Sequence, residues 1–321
     1  MTRYLLRRLV FLAASFVLAM LAIFVLLRLL PGDPANALLG ADATPEQIEA
    51  ARAQVGSDQP LGVQLVNWLG DVARLDLGES FVGGYPILPE IAQRLSITIP
   101  LTLIAFAISV LLASLIGYLA AVRADTRLGA VISGLSQFGI AVPVFWVGIL
   151  LVWVFALQWR LFPSGGFPRA GWEDPAAVLR NLTLPVATIV VVMTASLARY
   201  VRSATLDVLE SDYLRNARAL GSGQWEAFLR HGLRNASVPV ISILGIELAS
   251  TLLGAVVVES VFSLPGLGSM LTKAIAQHDY PAIQGVLLVT TFLVLVIGFA
   301  ADVVQRLIDP RLRTHLSGAG A

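Results

Sequence analysis

The sequence predicts an all-α integral membrane protein with six transmembrane helices. The prediction rests on the composition and on the number and length of the apolar runs. Hydrophobic residues make up 57% of the 321 residues and charged residues only 13%, and the mean hydropathy is +0.80. Soluble domains average roughly 45–50% apolar and about 25% charged residues, so a soluble class is excluded.

Several apolar runs are long enough to cross a bilayer, which takes about 20 helical residues. They lie at about 9–30, 97–122, 131–158, 182–203, 238–261 and 283–305. The first run follows arginines, as in a signal peptide, but it is too long for that segment, and LLPGDPAN after it lacks a small-residue cleavage site. Because the runs cover the whole chain, we predict a single transmembrane domain over residues 1–321, with the first helix retained.

The distribution of basic residues predicts the orientation in the membrane. Of the 22 Lys and Arg residues, 14 lie at the two termini and in the loops after the second and fourth runs, and eight lie on the other side. The positive-inside rule places the side richer in basic residues in the cytoplasm. The two termini and residues 204–237 are therefore predicted to be cytoplasmic, and residues 31–96 extracytoplasmic.

The extracytoplasmic segment carries a strong helix signal in TPEQIEAARAQVG. Thr44 is predicted to cap this helix, with Pro45 at its first position, Gln47 completing a capping box and Gly56 ending it. A second helix is predicted through LGVQLVNWL. Acidic residues outnumber basic ones nine to three in the segment, which indicates either an ordinary solvated surface or a docking surface for an extracytoplasmic partner.

No catalytic or metal-binding pattern stands out in the sequence. The chain has no cysteine, and its histidines, His231, His278 and His315, lie outside the apolar runs and lack the spacing of a metal site. The segment LPGLGSMLT before Lys273 is rich in glycine but does not match the phosphate-binding loop GxxxxGK[ST]. We therefore expect no catalytic residue, metal or cofactor in this chain, and ATP hydrolysis would need a separate subunit.

Glu247 is an ionisable residue within the fifth apolar run. A carboxylate at depth costs on the order of 2.5–3.5 kcal/mol on insertion scales, so it must face protein or water. The residues leave several interpretations open. Glu247 could pack by a hydrogen bond against a neighbouring helix, line a wet transport pathway, or serve as a site of proton coupling.

Residues 204–237 contrast with the apolar runs on either side. Helix-forming composition at 204–220 and at 224–231 predicts two short helices, separated by Gly221-Ser222-Gly223, where a sharp turn is sterically free. In the first helix, Ala217 and Ala219 leave the backbone thinly covered near the turn.

The second short helix combines an apolar stripe with a charged pair. Trp225, Phe228 and Leu229 follow the i, i+3, i+4 spacing of one helix face, and Glu226 can pair with Arg230. Small residues, an aromatic stripe and a basic rim are typical of a segment that inserts into a partner's groove. The alternative is an amphipathic helix pair that rests on anionic lipid headgroups.

The segments DYLRNARALG and AFLRHGLRNASVPV resemble the cytoplasmic EAA-type loop of binding-protein-dependent ABC importer permeases of the dipeptide/oligopeptide/nickel branch. The resemblance covers nearly the whole chain and extends to the B-type permease subunit of that branch. Its further motifs are LLPGDPA after the first run, LDLGESF before the second, AVPVFWVGILL in the third, GAVVVESVFSLPGLGSML after the fifth and DYPAIQGV before the sixth.

This resemblance implies a type I ABC importer permease in a bacterial inner membrane, non-catalytic and forming a translocation path for short peptides. It implies a second homologous permease subunit, cytosolic ATPase subunits that bind ATP and Mg, and an extracytoplasmic substrate-binding protein. It also implies that the loop couples to the ATPase. The coupling residues would be Arg215, Asn216, Ala217, Arg218, Ala219, Gly221, Trp225, Glu226 and Phe228. The alternative class is an ion- or proton-coupled secondary transporter.

The chain departs from the family pattern at identifiable places. Arg215-Asn216-Ala217 stands where importers in general have Glu-Ala-Ala, and Leu233-Arg234 stands where they have Leu-Pro. Both departures are similar to what the peptide branch shows. Glu247 stands where the branch commonly has Gln, so the resemblance assigns its carboxylate no role. Relatives import short peptides, nickel chelates and glutathione, so the exact substrate is left open.

Overall fold

The computed structural model describes residues 2–29, 38–39 and 44–308. Most of LLPGDPA and the C-terminal tail with His315 therefore lie outside the described residues. The helices in chain order are α1 (Thr2–Leu29), α2 (Pro45–Val55), α3 (Leu61–Ala73), α4 (Ile87–Val122), α5 (Arg127–Ala141), α6 (Val144–Leu151), α7 (Pro175–Leu209), α8 (Asp212–Ala219), α9 (Gln224–Ala227), α10 (Leu233–Val261), α11 (Leu267–Ala276) and α12 (Tyr280–Ile308).

Within the described residues, five of the six predicted apolar runs lie on long single helices, and the run at 131–158 is broken. In the described part of the chain, five helical segments are individually long and apolar enough to cross a membrane. A sixth candidate is the pair formed by α5 and by α6 with its π-helical continuation to Gln158, bent by 102°. The bend falls at Pro143, and Val142 before it is extended because a proline disfavours helical backbone in the preceding residue.

The helix predicted in TPEQIEAARAQVG forms as α2. Thr44 Oγ1 accepts a hydrogen bond from the Gln47 backbone N–H at 3.4 Å, and Gln47 Oε1 accepts one from the Thr44 N–H at 2.9 Å. Gly56 ends α2 with φ of +68°. The capping box is thus confirmed, and LGVQLVNWL lies within α3 as predicted.

The chain divides into two compact units. The first consists of residues 1–98 and 264–295 and contains α1 to α3, the start of α4, α11 and the first half of α12. Its core is apolar and brings the start of α4 against α11 and α12. The fully or nearly buried members include Ile87, Ile91, Leu267, Met270 and Val286.

The second unit consists of residues 99–263 and 296–321. Its central element is α7, which packs against α5, α6 and α10. Many side chains along α7 are buried because these neighbours cover it on several sides. This unit carries both the loop after α7 and the helices that surround Glu247.

Candidate functional site

The loop between α7 and α10 begins later than the composition predicts. We predicted a separate helix over 204–220, but α7 continues through this region to Leu209 and α8 begins only at Asp212. Thr205 and Val208 are buried, so packing extends α7 beyond the apolar run. The break lies at Ser211, which has an extended backbone and whose hydroxyl donates a hydrogen bond to the Val208 carbonyl.

The turn at Gly221 forms as predicted. Gly221 has φ of +97°, in the region that favours glycine. Its N–H donates to the Arg218 carbonyl at 3.0 Å, and the Ser222 N–H donates to the Ala217 carbonyl at 3.3 Å. These bonds satisfy carbonyl groups at the end of α8, as glycine-containing helix ends commonly do.

The second predicted short helix does not end at residue 231. It runs from Gln224 through a π-helical turn at Phe228–Gly232 directly into α10. Gly232 has helical backbone angles and permits a close approach, because a Cβ atom there would lie 2.8 Å from Val208 Cγ1. The loop is therefore mechanically continuous with a membrane helix.

The predicted apolar stripe is split by the tertiary structure. Phe228 is only 4% exposed and packs in a small core with Val208, Leu214, Ala227 and Ala236. Its ring also lies 4.8 Å from the Tyr118 ring, measured between centroids. We call this group the loop anchor. Trp225, by contrast, is 54% exposed, although its edge also contacts Tyr118.

The predicted coupling residues that stay exposed, together with Leu220, are called the loop tip; Ala217 is half-buried against the loop anchor. The loop tip consists of Arg215, Asn216, Arg218, Ala219, Leu220, Gly221, Trp225 and Glu226, all of them exposed. The predicted pair Glu226–Arg230 is present, with a closest N to O distance of 3.3 Å. Leu220 was not predicted as a site residue, yet it is 89% exposed. An apolar residue directly before the turn glycine was the sequence signal for it.

Glu247 lies on α10 and faces α7. Its Oε1 atom accepts a hydrogen bond from Ser196 Oγ of α7 at 2.9 Å. Glu247 also lines a cavity of about 310 Å³ whose walls are mainly apolar and include Ile189, Val192 and Met193. The predicted hydrogen bond to a neighbouring helix is therefore present, and the same carboxylate also lines a cavity.

Two motifs that are far apart in the sequence meet in the first unit. Asp279, of DYPAIQGV, is 2% exposed, and its carboxylate accepts hydrogen bonds from Ser80 Oγ at 2.5 Å and from the Phe81 N–H at 3.1 Å. Ser80 and Phe81 belong to LDLGESF. We call this arrangement the buried clasp. Neither motif by itself predicts this contact, because Ser80 and Asp279 are 199 positions apart in the sequence.

The described part of the chain holds no group of three or more His, Asp or Glu side chains placed to bind a metal ion. His231 lies at the end of the π-helical turn in the second unit, and His278 lies beside Asp279 in the first. Neither is part of the loop tip or of the Glu247 cavity.

Comparison with known proteins identifies the class. Residues 113–314 match the profile of the family described as the binding-protein-dependent transport system inner membrane component, and residues 1–102 match that of its N-terminal part. The chain belongs to this family. It is a non-catalytic membrane subunit, and the ATPase of such a transporter is a separate subunit. The family therefore decides against the secondary transporter that the residues had left open.

Individual relatives are similar over almost their full length. A Brucella abortus (strain 2308) protein named for a peptide transport system permease is 37% identical, over 98% of this chain and 99% of the relative. A glutathione transport system permease of Salmonella typhimurium (strain LT2) is 36% identical, with the same shares covered.

A solved structure shares the fold. It is a chain of the MetNI methionine ABC transporter in an inward-facing conformation, with a TM-score of 0.57 and 17% identity. The match covers 68% of this chain and 96% of the other. The predicted fold class, an all-helical type I ABC importer permease, is confirmed.

Proposed function

We propose that this protein is the permease subunit of an ATP-driven importer of short peptides, and that the loop tip docks on its ATPase. The observation that carries the coupling role is an exposed tip held on a buried anchor. The peptide substrate is supported by the names of the relatives, which include peptide and glutathione permeases.

The geometry indicates how a movement of the ATPase would reach the membrane. The segment from Gln224 to Val261 is one helical stretch, so a displacement of the tip shifts α10 itself. Phe228 and Gly232 hold this stretch against the end of α7. A displacement of Trp225 by the ATPase would therefore move both α7 and α10, which flank the Glu247 cavity. ATP and Mg would be bound by the partner subunits and not by this chain.

The cavity at Glu247 is proposed as part of the translocation path. Its walls combine apolar side chains with the hydroxyl groups of Ser196, Ser250 and Thr251. Such a lining makes few strong polar contacts with a peptide, which suits passage better than retention. The path would be completed by a second, homologous permease subunit.

The proposed setting is a bacterial inner membrane, with both termini and the loop tip cytoplasmic. Residues 31–96 would face a substrate-binding protein on the other side. The distribution of basic residues supports this orientation. Cysteines introduced at Asp58 and Ser222 should react oppositely with a membrane-impermeant reagent in intact cells, and labelling of Ser222 from outside would refute the orientation.

The coupling function is tested by substituting Arg218, which is exposed on the loop tip. Arg218→Glu should abolish the stimulation of ATP hydrolysis by peptide-loaded binding protein in the reconstituted transporter, because it reverses a charge at the docking surface. The matched control is Arg127→Glu, an exposed arginine at the start of α5 on the same predicted membrane side. If the tip merely rests on lipid headgroups, both variants should retain near-normal stimulation.

A further inference from the structure

The first unit contains a cavity of about 440 Å³ that the proposed coupling mechanism does not use. Its walls come from the end of α1, the C-terminal end of α2 and the loop after it, one face of α3, the loop that follows α3, and the start of α12. The volume lies within the range of about 300–1,000 Å³ that is typical of small-molecule sites.

One face of helix α3 lines this cavity. Gln64, Asn67, Trp68 and Asp71 all line it, and their i, i+3, i+4, i+7 spacing places them on one helix face. Val66 lies on another face and is 69% exposed. Gln64 is buried, whereas Asn67 and Asp71 are exposed, so this face of α3 brings one shielded amide and two accessible polar groups to the cavity.

Gln64 supplies an acceptor that lacks a donor. It is only 9% exposed, and its Nε2 donates to the carbonyl groups of Gln59 at 2.7 Å and Ser57 at 3.4 Å. These two acceptors fix the orientation of the amide, because a carbonyl can only accept. Within the described residues, Gln64 Oε1 is buried without a hydrogen-bond partner. A donor group on a bound molecule would satisfy it after a small adjustment of the wall.

An aromatic stack and charges of both signs complete the lining. The Phe24 and Trp68 rings stack with centroids 5.9 Å apart, and the Arg28 guanidinium lies 5.3 Å from the Phe24 centroid. Asp71 and Asp76 line the same cavity, and Asp76 is held by the Gly78 N–H at 2.8 Å. The cavity thus presents one cation and two anions between aromatic and amide groups.

We propose that this cavity is a direct binding site for a short peptide in its zwitterionic form. Arg28 would bind the peptide carboxylate, because guanidinium and carboxylate groups make strong charge-assisted hydrogen bonds. Asp71 and Asp76 would bind the terminal ammonium group, and the amide of Gln64 would bind the peptide backbone. The choice of a peptide among zwitterions rests on the proposed function. The site is distinct from the cavity at Glu247, which lies in the second unit.

The test measures binding of isotope-labelled dialanine to the full chain, purified with its copurifying subunits but without a binding protein. Dialanine should bind at least roughly tenfold more tightly than N-acetyl-dialanine or dialanine amide, since each analogue lacks one charge-assisted contact. This comparison uses the unmodified protein, so it does not depend on the folding of any variant. Equal binding of all three compounds, or no binding of dialanine, would overturn the proposal.

Variants then locate the site. Arg28→Gln should remove the preference for dialanine over its amide, and Asp71→Asn should weaken the preference over the N-acetyl compound. The controls Arg74→Gln and Asp58→Asn change exposed charges of the same segment that do not line the cavity, and should leave both preferences intact. If Arg28→Gln still prefers dialanine to its amide, and Asp71→Asn still prefers dialanine to the N-acetyl compound to the same extent, the cavity is not the site.

ATP-dependent peptide uptake, measured on the reconstituted transporter with its binding protein, separates this proposal from the proposed function. Uptake without direct binding would refute the cavity site and leave the peptide importer standing. Absence of both uptake and binding would refute the two together.

Discussion

The loop tip and the buried clasp both carry charged side chains, but they hold them in opposite ways. At the loop tip and beside it, the pairs Arg215–Asp212 and Glu226–Arg230 have closest N to O distances of 3.8 and 3.3 Å, and each side chain is more than half exposed. In the clasp, the carboxylate of Asp279 is buried and accepts two hydrogen bonds.

This difference separates a region whose charges stabilise the fold from one whose charges do not. An exposed ion pair contributes about 0–1 kcal/mol to stability, so stability does not explain the charges of the loop tip. Removing a buried acceptor leaves its donors unsatisfied, at about 1–3 kcal/mol for each. The clasp therefore has a sufficient explanation in folding, whereas the charges of the tip contribute little to stability and are left available for the docking that we propose.

The largest expected effect concerns the loop anchor. Phe228→Ala should lower the free energy of unfolding by about 3–5 kcal/mol, because it leaves a cavity in a well-packed core. Thermal unfolding of the purified chain measures the loss. Trp225→Ala is the matched control, since more than half of that side chain is exposed. Equal destabilisation by the two substitutions would contradict the division into anchor and tip.

The clasp should give the next largest effect. Asp279→Ala removes the acceptor for the Ser80 hydroxyl and the Phe81 N–H, and should cost about 1–3 kcal/mol for each donor left unsatisfied. Asp279→Asn keeps one oxygen acceptor and should recover part of this loss. Chemical denaturation of the two variants compares them, and indistinguishable stabilities would show that the hydrogen bonds contribute little.

The turn should combine a modest strain with a large functional effect. Gly221→Val places a β-branched residue at φ of +97°, which should cost about 1–3 kcal/mol while the chain still inserts. Stimulated ATP hydrolysis should be lost because the tip is displaced. Gly223→Val is the control in the same turn, where φ is −62° and a Cβ meets no atom within 4 Å. Normal stimulation in both variants would count against docking at the tip.

Glu247→Gln should have the smallest effect. The amide oxygen can still accept the hydrogen bond from Ser196, so uptake should be largely preserved. Glu247→Leu should alter uptake without preventing assembly, because an apolar side chain then lines the cavity. Uptake at several pH values provides the measurement. Loss of uptake in the Gln variant, together with loss of any pH dependence, would favour proton coupling over a pathway lining.

The sequence alone determined the features that depend on a few consecutive residues. Apolar length locates the membrane helices, and the capping box at Thr44, the turn at Gly221 and the pair Glu226–Arg230 all form between residues up to five positions apart. At these places the local pattern and the final structure agree because no distant contact competes with them.

Tertiary structure decided the features that depend on residues far apart in the sequence. Composition could not show that α7 would extend to Leu209, that Phe228 would be buried while Trp225 stays exposed, or that Asp279 would meet Ser80, 199 positions away. Periodicity defines the side of a helix that is apolar, but not the neighbour that covers it. Burial of a side chain and satisfaction of a buried acceptor are properties of the packed helices, so they became visible only once those helices were placed together.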